Sequence, residues 1–482
     1  MCDHDSKTIS RRTFVAAGAA LAGTVAASGL MREAEAQQAQ PRPSGRLLFK
    51  SGTVLTIDRT LGDLARGDVL VEGGRIAAVG PNLVADGAQV IDCANMIVMP
   101  GFVDTHRHMW EGQIRNTIPE AMLPEYLKVM LAGYGTAYRA EDAYIGDLLS
   151  AWSALDAGVT TVLDWSHVQN TPEHADAIVR ALRESGIRAV FGYGMPELGG
   201  KPWWADESAH KYPGDIKRLR ARYFNSDDQL LTLALAVSGG FGNMQIAARE
   251  WAAAREVGAR VTIHAGGKGQ IQKFASAFKL GPDTTYVHCA GWDDTDWKMV
   301  ADSGGTVSLS PGTESFMSIN LSPFQQSLDV GLKPSLSVDA ESNAPTDMFT
   351  EMRLALSLQH TMLMVRKERG EEKLPARMTA REALELATIE GAKANGLEKK
   401  CGSLAVGKQA DIVLLRKDRI NVMPVNDPVA AVVYGMDTSN IDSVYVAGRA
   451  RKRGGRLVGV DLKRLMSQAV ASREYLASKV KA

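Results

Sequence analysis

Apolar residues in this chain fall into short runs, and what lies between the runs changes from region to region. On the N-terminal side the runs are brief and β-rich: Leu47-Leu48-Phe49-Lys50, Thr53-Val54-Leu55-Thr56-Ile57, Val69-Leu70-Val71 and Ile76-Ala77-Ala78-Val79. Gly-rich turns such as Glu72-Gly73-Gly74-Arg75 part them, which marks short strands. Similar runs return at Ile412-Val413-Leu414-Leu415, Ala431-Val432-Val433-Tyr434 and Val444-Tyr445-Val446. The economical arrangement packs residues 46–99 and 400–456 as one composite β-sandwich. Between them, apolar strands alternate with stretches of helical period, such as Ala175 to Glu184 and Ile246 to Val257. The strand runs end at His106, Asp164, Tyr193, Val237, His264, His288, Ser310 and Asp339. Eight such units across residues 100–399 predict a TIM-like (β/α)8 barrel of the α/β class. Leu384 to Thr388 reads as a helix closing that barrel, and residues 457–482 as a C-terminal helix.

Composition narrows the partners. Hydrophobic content of 45% and charged content of 23% are those of a soluble globular protein. Fifty-five basic residues balance 55 acidic ones, so no charge excess argues for nucleic acid or an anionic membrane. Cys2, Cys93, Cys289 and Cys401 have neither the spacing of a metal knuckle nor that of a disulfide framework. The first 36 residues read as an export signal rather than as fold. Ser10-Arg11-Arg12-Thr13-Phe14 precedes an Ala- and Gly-rich apolar run, Val15 to Leu30, and then Ala34-Glu35-Ala36. The paired arginines resemble a twin-arginine signal, and about 16 weakly apolar residues fall short of the roughly 20 that span a bilayer. The protein is therefore expected outside the cytoplasm, periplasmic or extracellular. Removal of Cys2 leaves three thiols, so at least one stays unpaired. Gln37 to Gly45 is a polar, Pro-containing linker.

The chemistry sits at the strand ends. In a strand, residues i and i+2 face one side, so His106 and His108 offer two imidazoles to one ion. Imidazoles suit Zn²⁺ or Fe²⁺ far better than Ca²⁺ or Mg²⁺. A His-x-His pair alone is equally compatible with core or surface histidines. In a barrel, however, the C-terminal strand ends share one mouth. His106 and His108 end strand one, His264 strand five, His288 strand six and Asp339 strand eight, so five such groups meet there.

Three stretches together resemble the amidohydrolase superfamily, in its branch of s-triazine hydrolases and cytosine, guanine and S-adenosylhomocysteine deaminases. They are Pro100 to His108, Ser337 to Asn343 with Asp347-Met348-Phe349 and Glu351-Met352-Arg353, and Gly402 to Val413. The resemblance implies that His106, His108, His264 and Asp339 hold one divalent metal, foremost Zn²⁺, with Fe²⁺ or Mn²⁺ accepted by the same donors. It implies one metal rather than two, because Leu231 to Val237 lacks the Lys that bridges binuclear relatives. Such a metal lowers the pKa of its water from about 15.7 towards about 7. Asp339 then accepts the proton and passes it to the leaving group, while His288 polarises the substrate carbonyl or imine.

One departure shapes the expected reaction. Deaminases of this branch carry a Glu three residues after the strand-five His, whereas this chain reads His264-Ala265-Gly266-Gly267. Ring deamination then lacks a proton donor, while hydrolysis of an amide, urea or carbamate can proceed without one. The expected activity is metal-dependent hydrolysis of a C–N bond in a small, cyclic or aromatic substrate by attack of metal-activated hydroxide. The alternatives are a deaminase or dechlorinase that draws its acid from Glu111, Glu314 or Glu341, and a barrel that binds without catalysis. Trp110, Glu111, Trp292, Glu314 and Asn343 are the expected substrate contacts, with Trp165 and Trp203-Trp204 adding aromatic surface. His167 is assigned a structural role, and His174, His210 and His360 none in the site. Lys298 and the cluster Arg366-Lys367-Glu368-Arg369 read as solvated helix faces. The expected partner is a small molecule, with no nucleic acid, no membrane once the signal is removed, and homo-oligomerisation left open.

Overall fold

The computed structural model describes residues 45–195 and 212–480. The segment expected to be an export signal, the linker up to residue 44, Trp203, Trp204 and His210 lie outside the described residues. The chain enters through β1 (Arg46–Val54), β2 (Leu64–Glu72), β3 (Arg75–Gly80), β4 (Gln89–Asp92) and β5 (Met96–Pro100). The apolar run before His106 is two strands in two sheets. β5 pairs with β1 in the terminal sheet, while β6 (Phe102–Arg107) opens the barrel. Gly101 makes the crossing possible, because a Cβ there would lie 2.2 Å from the Thr160 side chain.

The barrel continues with β7 (Val159–Ser166), β8 (Arg188–Tyr193), β9 (Leu231–Val237), β10 (Arg260–Gly266), β11 (Thr284–Ala290), β12 (Thr306–Leu309) and β13 (Ser335–Leu336). These eight pair in chain order, each parallel to the next, and correspond to barrel strands one to eight. The last seam is closed by residues of the barrel mouth themselves: Asp339 N donates to His106 O at 2.9 Å and His108 N to Asp339 O at 3.0 Å. Helices follow the strands with ordinary punctuation. Pro172 opens Pro172–Ser185, for example, and Gly186, at φ 65°, ends it in the left-handed region.

The chain returns through β14 (Ile412–Arg416), β15 (Ile441–Val446), β16 (Arg449–Arg453) and β17 (Arg456–Leu457). The resulting sheet runs β17-β16-β15-β14-β5-β1-β2-β3, with β4 on β1. β1 and β15 are three strand spacings apart, roughly 14 Å in a flat sheet, yet the Phe49 and Tyr445 rings lie 5.0 Å apart. The sheet therefore folds over its own core, which includes Phe49, Val69, Val98, Ile412, Leu414 and Tyr445. One expected strand is helical: Ala431 to Tyr434 lies in the helical segments Pro428–Ala430 and Ala431–Gly435. The Asp427 carboxylate caps Val429 N and Ala430 N at 2.8 and 2.9 Å, with Pro428 in the first turn, and this overrides the strand preference of the two valines.

At the base of the barrel Arg188 is fully buried and donates two hydrogen bonds to Asp411, at 2.7 and 2.9 Å, and one to Gln409 at 2.6 Å. That fork joins β8 to the terminal sheet. The C-terminal helix Leu462–Lys479 packs on Ala140–Asp156 through Ser472 to Asp142 (2.7 Å) and reaches the strand-one loop through Gln113 (3.2 Å). Cys93, Cys289 and Cys401 are buried thiols. Among the described residues, no helix is long and apolar enough to cross a membrane.

Candidate active site

Strand ends place four donors on one point. Alternation along β6 turns His106 and His108 to the same side, β10 delivers His264 and the segment after β13 delivers Asp339. His106 Nε2 and His108 Nε2 lie 3.0 and 3.1 Å from the same Asp339 oxygen, Oδ1. His264 Nε2 lies 3.2 Å from His106 Nε2. A tetrahedral zinc site with bonds of about 2.05 Å has edges of about 3.3 Å, so the donors already stand at ligand spacing. The grouping also makes poor sense without a cation, because it sets lone pairs against lone pairs in a buried place. His108 Nδ1 meets the Trp165 carbonyl at 3.0 Å; a carbonyl only accepts, so Nδ1 carries the proton and Nε2 is left free to ligate. Without a bound ion the strain appears in the protonation of the set. Burial pushes His106 down to about 4, whereas Asp339 outweighs the same burial penalty and lifts His108 to about 9. A proton then occupies the role that the donor set fits a divalent ion to fill.

His288 stands beside this group. Its Nε2 is 3.5 Å from Asp339 Oδ2, and its Nδ1 lies 3.0 Å from Glu314 Oε1. One Asp339 oxygen thus faces the metal donors and the other faces His288. Burial disfavours the charged imidazole, but Glu314 and Asp339 outweigh it and raise His288 above its ordinary value. His288 and Asp339 both hold left-handed backbone, at φ 66° and 65°. Neither is glycine, and such strain, of order 1–3 kcal/mol each, concentrates at functional sites.

The expected residues divide on inspection. Glu314 is fully buried and takes hydrogen bonds from Ser310 N (3.0 Å) and Ser322 besides His288, so it orients that imidazole. Glu341 points away from the donors into a buried ion network with Arg107 (2.7 Å), Arg115 and Ser150. Glu111 is held by Tyr126 (2.6 Å) and Ser342 N (2.9 Å), tying the strand-one loop to the strand-eight loop. Burial pushes its carboxyl up to about 7. Trp110 is wholly buried against Tyr138, with ring centroids 5.2 Å apart. Trp292 is wedged between Tyr286 and Trp297, a packing position rather than a lining one. Asn343 is buried, and neither polar atom of its side chain has a hydrogen-bond partner among the described residues. Trp165 packs 4.0 Å from the His264 ring. His174 and His360 bond to the carbonyls of Tyr138 and Met378, outside the site as expected. His167, assigned a structural role from the sequence, instead reaches the donors, 4.5 Å from the His108 ring. Its position just beyond the end of β7, in phase with Trp165, was the only sequence signal. Gly267 is exposed, and a Cβ there would meet no atom within 4 Å.

Comparison with known proteins agrees with this geometry. The amidohydrolase family pattern matches residues 97–451. A 5'-deoxyadenosine deaminase of Methanosarcina mazei is 27% identical over 449 residues, covering 90% of this chain and 99% of that one. Among solved structures, a zinc-bound adenosine deaminase from Xanthomonas campestris superposes with a TM-score of 0.77 at 22% identity, over 91% of this chain and 100% of that one. A zinc complex of the atrazine chlorohydrolase from Arthrobacter aurescens superposes with a TM-score of 0.73 at 21% identity, over 89% of this chain and 100% of that one. These two likenesses speak to the fold.

Proposed function

Taking as premise that the chain belongs to the amidohydrolase family, we propose that it hydrolyses an exocyclic C–N bond, as in an amide, urea or carbamate, of a small cyclic or aromatic compound. The observation that carries this is the buried set of three imidazoles and Asp339, its donor atoms all within 4.8 Å of one another and three of the contacts at 3.0, 3.1 and 3.2 Å, with Asp339's second oxygen turned to His288. In this reading His106, His108, His264 and Asp339 hold one divalent cation, Zn²⁺ by the chemistry of its donors. When bound, that cation supplies Lewis acidity and an activated water. Asp339 takes the water's proton and carries it to the leaving nitrogen as the C–N bond breaks. His288, its Nδ1 held by Glu314, donates from Nε2 to the carbonyl oxygen and stabilises the negative charge that gathers there.

The choice of an exocyclic bond rests on Gly267. The strand-five position that carries the acid in ring deaminases has no side chain here, and Glu314 and Glu341 are committed to His288 and Arg107. The deaminase identity of relatives such as the Methanosarcina mazei enzyme favours a second reading, release of ammonia from an aminated heterocycle, with Glu111 as the remaining carboxyl near the donors. A panel of aryl amides, ureas, carbamates, aminated heterocycles and chlorotriazines separates the two by product. Amine plus acid supports the first reading, ammonia the second, and chloride a dechlorinase. The Arg11-Arg12 pair, the apolar run after it and Ala34-Glu35-Ala36 support export by a twin-arginine route. N-terminal sequencing of the protein from the periplasm checks this, with a start at about residue 37 expected.

A further inference from the structure

We infer that His167 is a substrate-contacting residue, a hydrogen-bonding wall that receives the heteroatom edge of a planar substrate on the strand-two side of the mouth. The inference deepens the proposed hydrolase reading and rests on its metal centre. The argument is topological. His167 follows β7, which neighbours β6 but is separated from β10 by β8 and β9. Even so, its ring lies 4.5 Å from His108 of strand one and 5.6 Å from His264 of strand five, stacked on the latter with planes 4° apart. A residue of strand two can touch strand five only by reaching across the inside of the mouth. His167 therefore stands over the donor set instead of behind a strand.

It does so without belonging to the group of His106, His108, His264 and Asp339, whose donor atoms all lie within 4.8 Å of one another. An imidazole offers one N–H and one lone pair, so it can meet either a carbonyl oxygen or an N–H on a bound molecule. Its surroundings select for flatness. The Trp165 and Trp110 rings stand 6.1 and 6.2 Å from it, and Trp165 also packs on His264. Across the mouth, Gly267 presents no side chain and leaves space. A molecule seated there finds its polar contact on strand two and room for bulk on strand five. The chemical class that fits is a planar aryl amide, aryl urea or related heterocycle, its carbonyl oxygen at His288, an N–H or ring heteroatom towards His167 and its larger substituent over Gly267.

A role that merely orients His108 and His264 would act through metal binding, so the test measures metal and ligand separately. Zinc-loaded wild type, His167→Ala, His167→Asn and His167→Gln are assayed for metal content, thermal midpoint and affinity for benzamide, a planar aryl amide without a chelating group, by calorimetry. The expected result is unchanged metal content in all four, benzamide binding weakened about tenfold or more in His167→Ala, and recovery to within about threefold of wild type in at least one of the amide variants. Binding by His167→Ala within about twofold of wild type overturns the inference, as does loss of metal from that variant, which would make His167 a support for the ligands. A wild-type chain that binds no metal overturns the metal centre and this inference together, a result distinct from either.

Discussion

The two ends of the barrel bury polar groups in opposite ways. At the base, Arg188 and Asp411 meet in a two-pronged pair, with Gln409 and Ala447 N completing the shell. The chain there supplies its own counter-charges. At the mouth, three imidazole nitrogens and a carboxylate oxygen crowd within 4.8 Å of one another, three of the contacts at 3.0–3.2 Å, and Asn343 keeps a buried amide without a partner among the described residues. Only something the chain does not contain can satisfy that end. A buried polar group satisfied within the fold contributes to stability, whereas one left waiting stores binding energy for a ligand. The same sorting runs through the carboxylates around strand one: Glu341 has Arg107, while Glu351 has only Gly312 N, at 3.0 Å, for one of its oxygens.

Substitutions at the two ends should therefore fail differently. Asp339→Asn, at the mouth, is expected to lower turnover by about 1,000-fold or more with little change in thermal midpoint; loss of folding without a specific loss of turnover would erase the distinction. Arg188→Ala, at the base, should do the reverse. Leaving Asp411 buried and uncompensated costs about 3–5 kcal/mol of unfolding free energy, measured by urea titration, while turnover per folded molecule stays at the wild-type level.

The carboxylates refine the contrast through pH. Burial opposes ionisation of Glu341, yet Arg107 and Arg115 hold it down to about 2 from an ordinary 4.5. Because folding lowers this pKa, the pairing contributes fully above about 4.5 and is lost as pH falls through about 2, a change of about 3 kcal/mol. Urea midpoints of wild type and Glu341→Gln should converge across that window as acid removes the advantage of the charged side chain. Glu351 is the opposite case, pushed well above 4.5 by burial. A group whose folded pKa is raised loses stability as pH climbs past its ordinary value. Glu351→Gln should thus match wild type near pH 4 and exceed it in stability near pH 8. Equal stability at both pH values would mean that Glu351 is as well satisfied as Glu341.

The mouth was more legible in the sequence than its surroundings. His106, His108, His264, His288 and Asp339 are readable because each ends an apolar run, and strand parity decides where they point. Their supports are not readable in this way. Glu341 meets Arg107 across 234 positions and Glu314 meets His288 across 26, and nothing in either local pattern specifies the pairing. His167 keeps the phase of Trp165 just past the end of β7, as His108 does past β6, but phase alone places a side chain at the mouth without telling a packing role from a contact with the donors. Trp292 was misleading for a related reason: an aromatic just after a strand can turn either into the mouth or back onto a helix, and here Trp297 holds it back. In the terminal sheet, β4 and β16 carry polar residues on largely open faces and so show no apolar run. β16 is set against β15 by the two-residue turn Ala447-Gly448, both at positive φ, and β4 pairs with β1 through its backbone.

The most direct measurement is the metal content of the purified wild-type chain beside His106→Ala and His264→Ala, by elemental analysis. A centre built from strands one, five and eight predicts about one divalent ion per chain in the wild type and less than about a tenth in either variant, with both variants still folded. Hydrolysis by a metal-free wild type, or variants that keep a full complement, would contradict it.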